Sequence, residues 1–456
     1  MRPMEVAMST YLGKQAVVVG AGMGGLTAAQ ALADFFEQVT VLENDPLPAA
    51  ATHRPGTPQC RHAHALLVGG QQALGTLFPG FEQNLSRAGA VPLRVSSDFR
   101  VERPGYNPFP QRDLGLLAYA ISRPLIELTV RKRVEEQSNI ELRDRCRVQR
   151  FVTTPDATEV TAVRFEHSDG RGETLPADLV VDASGHGKLT LNMLESNGQP
   201  RPDETLIGVD LGYASAILDI PDDAPSDWRT VITFAQFPRN RRGGIILPLE
   251  GNRWIVSLGG RRNDKPPDDW GGFLSFAQQL RTPTIYNAIK HANLVGEIAR
   301  FVFRASSLRH FELLETFPRG LLPFGDTLCR FNPLYGQGMS VAALEACHLR
   351  CLLGTQDVQK DGLAGLASAF FDGAKAIIET PWVNAAIPDF VDPDTPGQRP
   401  PDLEKTLRFL SALFKLAAED PAVHKLVAEV QHLLKPQSVY RDPDLVQRVE
   451  ALMTVT

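Results

Sequence analysis

The chain has 456 residues, of which 43% are hydrophobic and 22% charged, with a formal net charge of −6. That balance suits a large globular core in two or three domains, and it speaks against a nucleic-acid binder, which would carry a basic stripe. No apolar run approaches the roughly 18 residues of a membrane span, and the residues before Gln15 hold no leader-like apolar stretch. Five scattered cysteines fit a reduced, cytoplasmic chain better than a disulfide scaffold. Cys347 and Cys351 flank His348 on a predicted helix, but further ligands at metal spacing are missing, so core packing and no metal are expected.

In chain order, Val17-Val18-Val19 reads as a strand that runs into Gly20-Ala21-Gly22-Met23-Gly24-Gly25 and then a helix. Gly20 permits the tight turn, Gly22 lets a phosphate approach the backbone, and Gly25 lets helix and strand pack closely. Such a turn aims backbone N–H groups and a helix N-terminus at a pyrophosphate. A second strand, Gln38 to Glu43, ends in the carboxylate that suits a ribose hydroxyl pair. Breaker-rich stretches mark joints at 49–58, 221–225, 263–269 and 392–401. His62 and His64 are two apart and share a face if the segment is extended; each reads as a structural histidine or as one that looks toward a ligand. Arg131-Lys132-Arg133 reads as a solvated helix face.

Farther on, Ala177 to Gly187 reads as a buried strand ending in Asp182-Ala183-Ser184-Gly185, small enough to approach the first glycine turn. Asp182 also suits a turn cap. Between 201 and 260 the pattern is β-rich. Two strands flanking Glu250-Gly251-Asn252-Arg253 form a predicted hairpin. Ile245, Leu247, Trp254 and Val256 there suit either an apolar pocket or an ordinary sheet core. Residues 270–292 and 403–434 read as helical; in the latter, Leu403, Leu407, Leu410 and Phe414 recur at helix-face spacing and suit packing on the body of the protein. Gly320 to Asp326 delivers another carboxylate to the end of a strand. Phe331 to Ser340 then leads through Gly336, Gln337, Gly338 and Met339 into a helix whose N-terminus favours an anion.

Together these stretches resemble the FAD-dependent monooxygenases of the para-hydroxybenzoate hydroxylase fold. Within that fold they are most similar to bacterial flavoprotein epoxidases and hydroxylases of polyketide and terpenoid metabolism. The resemblance also rests on Arg61-His62-Ala63-His64-Ala65-Leu66-Leu67 and Ser122-Arg123-Pro124-Leu125, and it is loosest over 201–300. It implies an α/β architecture: a Rossmann-like FAD-binding domain (1–87, 112–200, 301–391), an inserted β-rich substrate domain (88–111, 201–300) and a C-terminal helical region (392–456).

The resemblance also implies roles. Gly20, Gly22, Met23, Gly24 and Gly25 would hold the FAD pyrophosphate and Glu43 the adenosine ribose. Arg123 would reach the phosphates or ribityl chain, and Arg61 would contact the cofactor or serve as a surface ion-pair partner. Val148 would lie over the adenine, Asp326 on a ribityl hydroxyl, and Gly336, Gln337, Gly338 and Met339 beside the flavin pyrimidine edge. Through a flavin hydroperoxide, such an enzyme epoxidises or hydroxylates an apolar or aromatic small molecule. NADPH or NADH would be the donor, with a separate flavin reductase as the other source of electrons. No catalytic residue is assigned. The form Asp182-Ala183-Ser184-Gly185 departs from the usual Asp-Gly and is similar to geranylgeranyl reductases and flavin-dependent halogenases, so an FAD-dependent reductase acting on an isoprenoid is the alternative. A halogenase would carry Trp-x-Trp-x-Ile-Pro, and none of the four tryptophans sits in one.

Overall fold

The computed structural model describes residues 11–355, 358 and 362–453. The start of the first expected domain segment (1–10), part of the leader expectation and the last residues (454–456) lie outside these.

β-Branched Val17, Val18 and Val19 put the first strand, Gly13–Val19, at the centre of a five-stranded parallel sheet. The order across it is Leu321–Pro323, Leu179–Asp182, Gly13–Val19, Phe36–Leu42, Ile140–Arg143. Leu179–Asp182, Leu321–Pro323 and the last four residues of Gly13–Val19 and Phe36–Leu42 are buried, as parallel strands covered on both faces are, while the edge strand Ile140–Arg143 is largely half-buried or exposed. Helix Met23–Leu32 follows the first strand. It is buried almost all round because helix Gly338–Leu353 and helix Arg123–Glu135 pack on it. The carboxyl ends of three neighbouring strands thus meet: Val19 at the glycine turn, Asp182, and Pro323 before Gly325-Asp326. Ligands bind at such ends in open α/β sheets.

A seven-stranded sheet stands beside this domain, in the order Cys329–Arg330, Leu294–Arg309, Glu204–Asp219, Arg253–Arg261, Gly243–Leu249, Thr230–Thr233, Phe99–Glu102. The predicted hairpin is present, with Leu249 paired to Arg253 and left-handed backbone at Gly251 and Asn252. Strand alternation settles the question left open by the apolar residues. Trp254 and Val256 face outward into a core shared with Phe273, Phe276, Ile285 and Ile289 of two covering helices. Ile245 and Leu247 face inward with Ile217, Leu249 and Ile255, toward the first domain.

Several boundaries differ from expectation. The helical stretch 270–292 is two helices, Trp270–Gln278 and Thr284–Ile289, split where Pro283 removes a backbone donor. Likewise 403–434 is Leu403–Glu419 followed by Pro421–Gln431, with Asp420 capping the second helix. Its stripe packs on the body as expected: Leu403 is buried, and Leu407, Leu410 and Phe414 lie against apolar clusters. Of 88–111, only Phe99–Glu102 joins the large sheet; Val91–Arg94 pairs with Leu117–Ala120. A boundary at 300 would cut strand Leu294–Arg309, which needs its whole length to pair with Glu204–Asp219. Cys351 is exposed at the end of its helix instead of packed in the core.

Candidate cofactor site

The glycine turn has the geometry its spacing demands. Gly20 takes φ +100°, and a Cβ there would stand 2.8 Å from the Ala183 carbonyl, so the end of strand Leu179–Asp182 does press on the turn. A Cβ on Gly25 would stand 1.7 Å from the Gly20 carbonyl, which is how closely helix and turn pack. A Cβ on Gly22 would meet no atom within 4 Å, so this position opens on free space. The outer two glycines therefore answer to the fold, while the middle one borders open space. Gly24 is neutral by this test, with Phe324 at 3.7 Å, and Met23 is buried beside it.

Glu43 follows strand Phe36–Leu42. Its Oε2 accepts from the Ala21 N–H (2.7 Å) and lies 3.1 Å from Arg54 Nη1, and its Oε1 accepts from the Asp45 N–H (2.9 Å). Two carboxylate oxygens offer about four lone-pair sites, so one is left for a further donor. Arg54, buried and paired as well to Glu127 (2.7 Å), holds this acid cluster in place. It lies inside the breaker-rich stretch 49–58, where no pattern marks it. Val148 is half-buried in strand Cys146–Thr153, whose first N–H donates to the Glu43 carbonyl (2.8 Å).

Asp182 acts as a cap: its carboxylate accepts from the Ser184 N–H and from the Thr190 N–H and hydroxyl. Asp326 differs. It keeps exposed surface although protein atoms surround it, the signature of a group lining a deep cleft. Burial pushes its carboxyl above the usual range, against the opposing pull of Arg330, Arg123 and Arg309. Gly338 stands near it, with a Cβ there 3.7 Å from Asp326 Oδ1. Gly336 is left-handed at φ +65° and abuts Ala65. Met339 and Gln337 are buried, and Gln337 Oε1 has no partner. The three stretches of the sequence argument thus converge on one cleft.

Arg61 and Arg123 line a pocket with His62 and His64, over a floor of Ile217, Leu247, Leu249 and Ile255 from the sheet's inner face. Arg123 is buried and pairs with Glu127 at 3.0 Å. Arg61 is exposed, with no ion pair among the described residues. His62 Nδ1 lies 2.7 Å from Ser215 Oγ, which lies 2.5 Å from Ser257 Oγ, which accepts from the Ala63 N–H. The His62 ring packs on Tyr213 and Phe301, themselves stacked. Burial, with help from Arg61 and His53, lowers His62 to about 4 and keeps it neutral. His62 Nε2 and the Tyr213 hydroxyl are buried without partners.

Two buried acids escaped the sequence argument. Asp389 Oδ1 accepts from Asn332 Nδ2 (2.9 Å), the Tyr335 hydroxyl (3.1 Å) and Arg261, tying the glycine loop to the large sheet. Glu345 Oε2 accepts from the Gly325 N–H (2.8 Å) and steadies the turn that presents Asp326. Neither sits in a readable motif; each stands on a helix whose burial only the fold decides. Among the described residues no group of three or more His, Cys, Asp or Glu could hold a metal ion, and no helix is long and apolar enough to cross a membrane.

Residues 15–192 match the family of FAD dependent oxidoreductases. Protein Rv3254 of Mycobacterium tuberculosis is 34% identical over 388 residues, covering 82% of this chain and 80% of its own. The flavin-dependent brominase Bmp2 has a similar fold, with a TM-score of 0.67 at 13% identity over 97% of this chain and 98% of its own. So has the p-nitrophenol 4-monooxygenase PnpA of Pseudomonas putida, with a TM-score of 0.67 at 16% identity over 94% of this chain and 100% of its own.

Proposed function

This chain belongs to the FAD-dependent oxidoreductase family, and on that premise we propose that it is a monooxygenase acting on an apolar or aromatic small molecule of secondary metabolism. The reaction would be epoxidation or hydroxylation: substrate, O2, NAD(P)H and a proton give oxygenated substrate, NAD(P)+ and water. The observation that carries the reading is the cleft itself. Three strand ends and a glycine-led helix N-terminus bound it on one side, and a sheet face with an apolar floor bounds the other.

Gly20, Gly22, Met23, Gly24 and Gly25 would hold the FAD pyrophosphate, Glu43 the ribose, and Arg61 and Arg123 the phosphates or ribityl chain. Val148 would lie over the adenine and Asp326 would take a ribityl hydroxyl. Gly336, Gln337, Gly338 and Met339 would border the pyrimidine edge. The open space at Gly22, the spare acceptor on Glu43 and the cleft-lining Asp326 fit that cofactor. Bound FAD supplies the oxygen-activating redox chemistry. The chain's own part is to position the substrate on Ile217, Leu247 and Ile255 and to exclude water with the Tyr213–Phe301 stack.

A nicotinamide cofactor finds no second Gly-x-Gly-x-x-Gly. An open pocket of about 510 Å³ bordered by Arg239, Arg241, Arg242 and Arg262 is the candidate place for its phosphates, where Arg241 and Arg242 are held by Asp392, Asp394 and Asp264 and Arg239 has no ion pair among the described residues. The fold is shared with a monooxygenase of a nitrophenol and with a brominase. The lack of Trp-x-Trp-x-Ile-Pro favours the former.

Anaerobic mixing of the FAD-loaded protein with NADPH, then NADH, while following oxidised-flavin absorbance tests this reading. Bleaching is expected, followed by substrate-coupled oxygen uptake in air. Colour that persists with both nucleotides would point to a separate flavin reductase. Substrate turnover without oxygen uptake would favour the isoprenoid reductase, which Asp182-Ala183-Ser184-Gly185 supports.

A further inference from the structure

Residues 61–67 form a strap laced to both halves of the cleft. The Ala63 N–H donates to Ser257 Oγ (2.9 Å) and His62 meets Ser215, both on the large sheet. The Leu67 N–H donates to Ser340 Oγ (3.1 Å) on helix Gly338–Leu353, and Ala65 presses on Gly336. His64 is therefore fixed between the sheet and the glycine loop, and it lines the pocket with Arg123.

Its proton position follows from chemistry. His64 Nδ1 lies 2.9 Å from the His62 carbonyl oxygen. A carbonyl has no proton to give, so Nδ1 carries the hydrogen. Burial, and then the charge of Arg123, lowers the ring to about 3, so it stays neutral and Nε2 is a bare acceptor. No hydrogen bond to Nε2 occurs among the described residues, and the ring keeps exposed surface although protein atoms surround it. The group that completes this site is a donor without positive charge, because the Arg123 guanidinium beside it repels cations. FAD carries such donors on its ribityl hydroxyls and its pyrimidine N–H.

We infer that His64 is a cofactor-binding residue whose bare Nε2 accepts a hydrogen bond from an N–H or O–H of the ribityl–isoalloxazine half of FAD. The inference rests on the FAD site proposed above and adds to it a contact that the motif leaves out.

The test is FAD titration of the apoprotein, with thermal melting of the same apoproteins. His64→Phe keeps an aromatic ring but removes both the Nε2 acceptor and the Nδ1–H that donates to the His62 carbonyl. His64→Gln restores an acceptor near the Nε2 position without that Nδ1–H, so the comparison of the two isolates the acceptor. His64→Phe is expected to weaken FAD about 10-fold, as loss of one hydrogen bond does. His64→Gln should stay within about 3-fold of the parent, with apoprotein melting shifted alike in both, since each loses the Nδ1–H bond to the His62 carbonyl. Because the ring stays neutral between about pH 5 and 8, whatever pH profile of FAD affinity the parent shows should be shared by His64→Gln. Parent-like affinity in His64→Phe would overturn the inference. So would His64→Gln binding as weakly as His64→Phe, or a rise in parent affinity as the pH drops through about 6 that His64→Gln lacks, which marks a protonated donor at His64. If His64→Phe fails to fold, His64→Gln and the pH profile decide. A parent chain that takes up no FAD at all would instead remove the cofactor site itself, and the inference with it.

Discussion

The two faces of the seven-stranded sheet use the same strands for different ends. On the outer face Ala214, Ala216, Leu218, Trp254, Val256 and Leu258 are sealed by two helices, with Phe273 wholly buried between them. Its buried acid, Glu102, is fully engaged by Thr233, Thr282, Thr284 and Arg100. Burial pushes the Glu102 carboxyl up, but these hydrogen bonds outweigh it and hold it below the usual range. On the inner face Tyr213, Ser215, Ser257 and Arg261 alternate with those apolar positions. There, and in the elements facing it, His62 Nε2, the Tyr213 hydroxyl, Asp389 Oδ2 and Glu345 Oε1 are buried without partners. Each unmet group costs about 1–3 kcal/mol. The outer face is built chiefly of apolar packing around one fully engaged acid, although Arg281 Nη2 beside it is unpartnered; the side facing the cleft keeps more polar atoms unpaired and glycines open, as a binding site does.

The sharpest way to break this division is Phe273→Ala. Emptying that site should cost about 3–5 kcal/mol and lower the melting temperature, while FAD affinity of the folded fraction stays as in the parent. A parallel loss of FAD affinity would mean the faces are coupled. On the cleft side, Asp326→Ala should weaken FAD roughly 10- to 100-fold, the range for a hydrogen bond to a charged group, without lowering apoprotein stability. Full FAD occupancy in that variant would remove Asp326 from the site. The glycine turn contains the same contrast in miniature. Gly25→Ala must displace backbone and should destabilise the apoprotein by about 1–3 kcal/mol. Gly22→Ala should leave apoprotein melting unchanged and weaken FAD about 10-fold.

The last effect concerns the buried Glu345 and is read as a slope with pH. Burial, aided by the charge of Asp326, pushes Glu345 from 4.5 up to about 8, against the Gly325 N–H. The folded chain therefore keeps a proton that the unfolded chain releases, and Glu345 makes stability fall as pH rises from about 4.5 to 8. Glu345→Gln, an uncharged mimic, should flatten that slope in melts across the window. An unchanged slope would show that Glu345 is ionised in the fold.

Much of the first domain was legible because its signals are local. Gly20, Gly22 and Gly25 lie within one turn, and backbone freedom at a glycine is a property of that residue. Asp326 and Gly336 follow a strand and precede a helix in one continuous stretch. The inner-face network was not legible. Ser215 and Ser257 lie in strands whose pattern reads only as apolar alternation, and His62 finds Ser215 across 153 positions. Arg54 carries no motif, yet it organises the acid cluster around Glu43.

By itself the sequence determined the strand–turn–helix frame and the points where a dinucleotide can approach the backbone, since dihedral preference and residue size are written position by position. It left open which residues of the β-rich segment seal a core and which face the cleft. It also left open whether His62 and His64 are structural or turned toward a ligand. Only the tertiary structure decided these. A side chain's burial, charge and proton position depend on partners that chain folding brings from far away, and a carbonyl 2.9 Å from His64 Nδ1 sets a tautomer that no local pattern encodes.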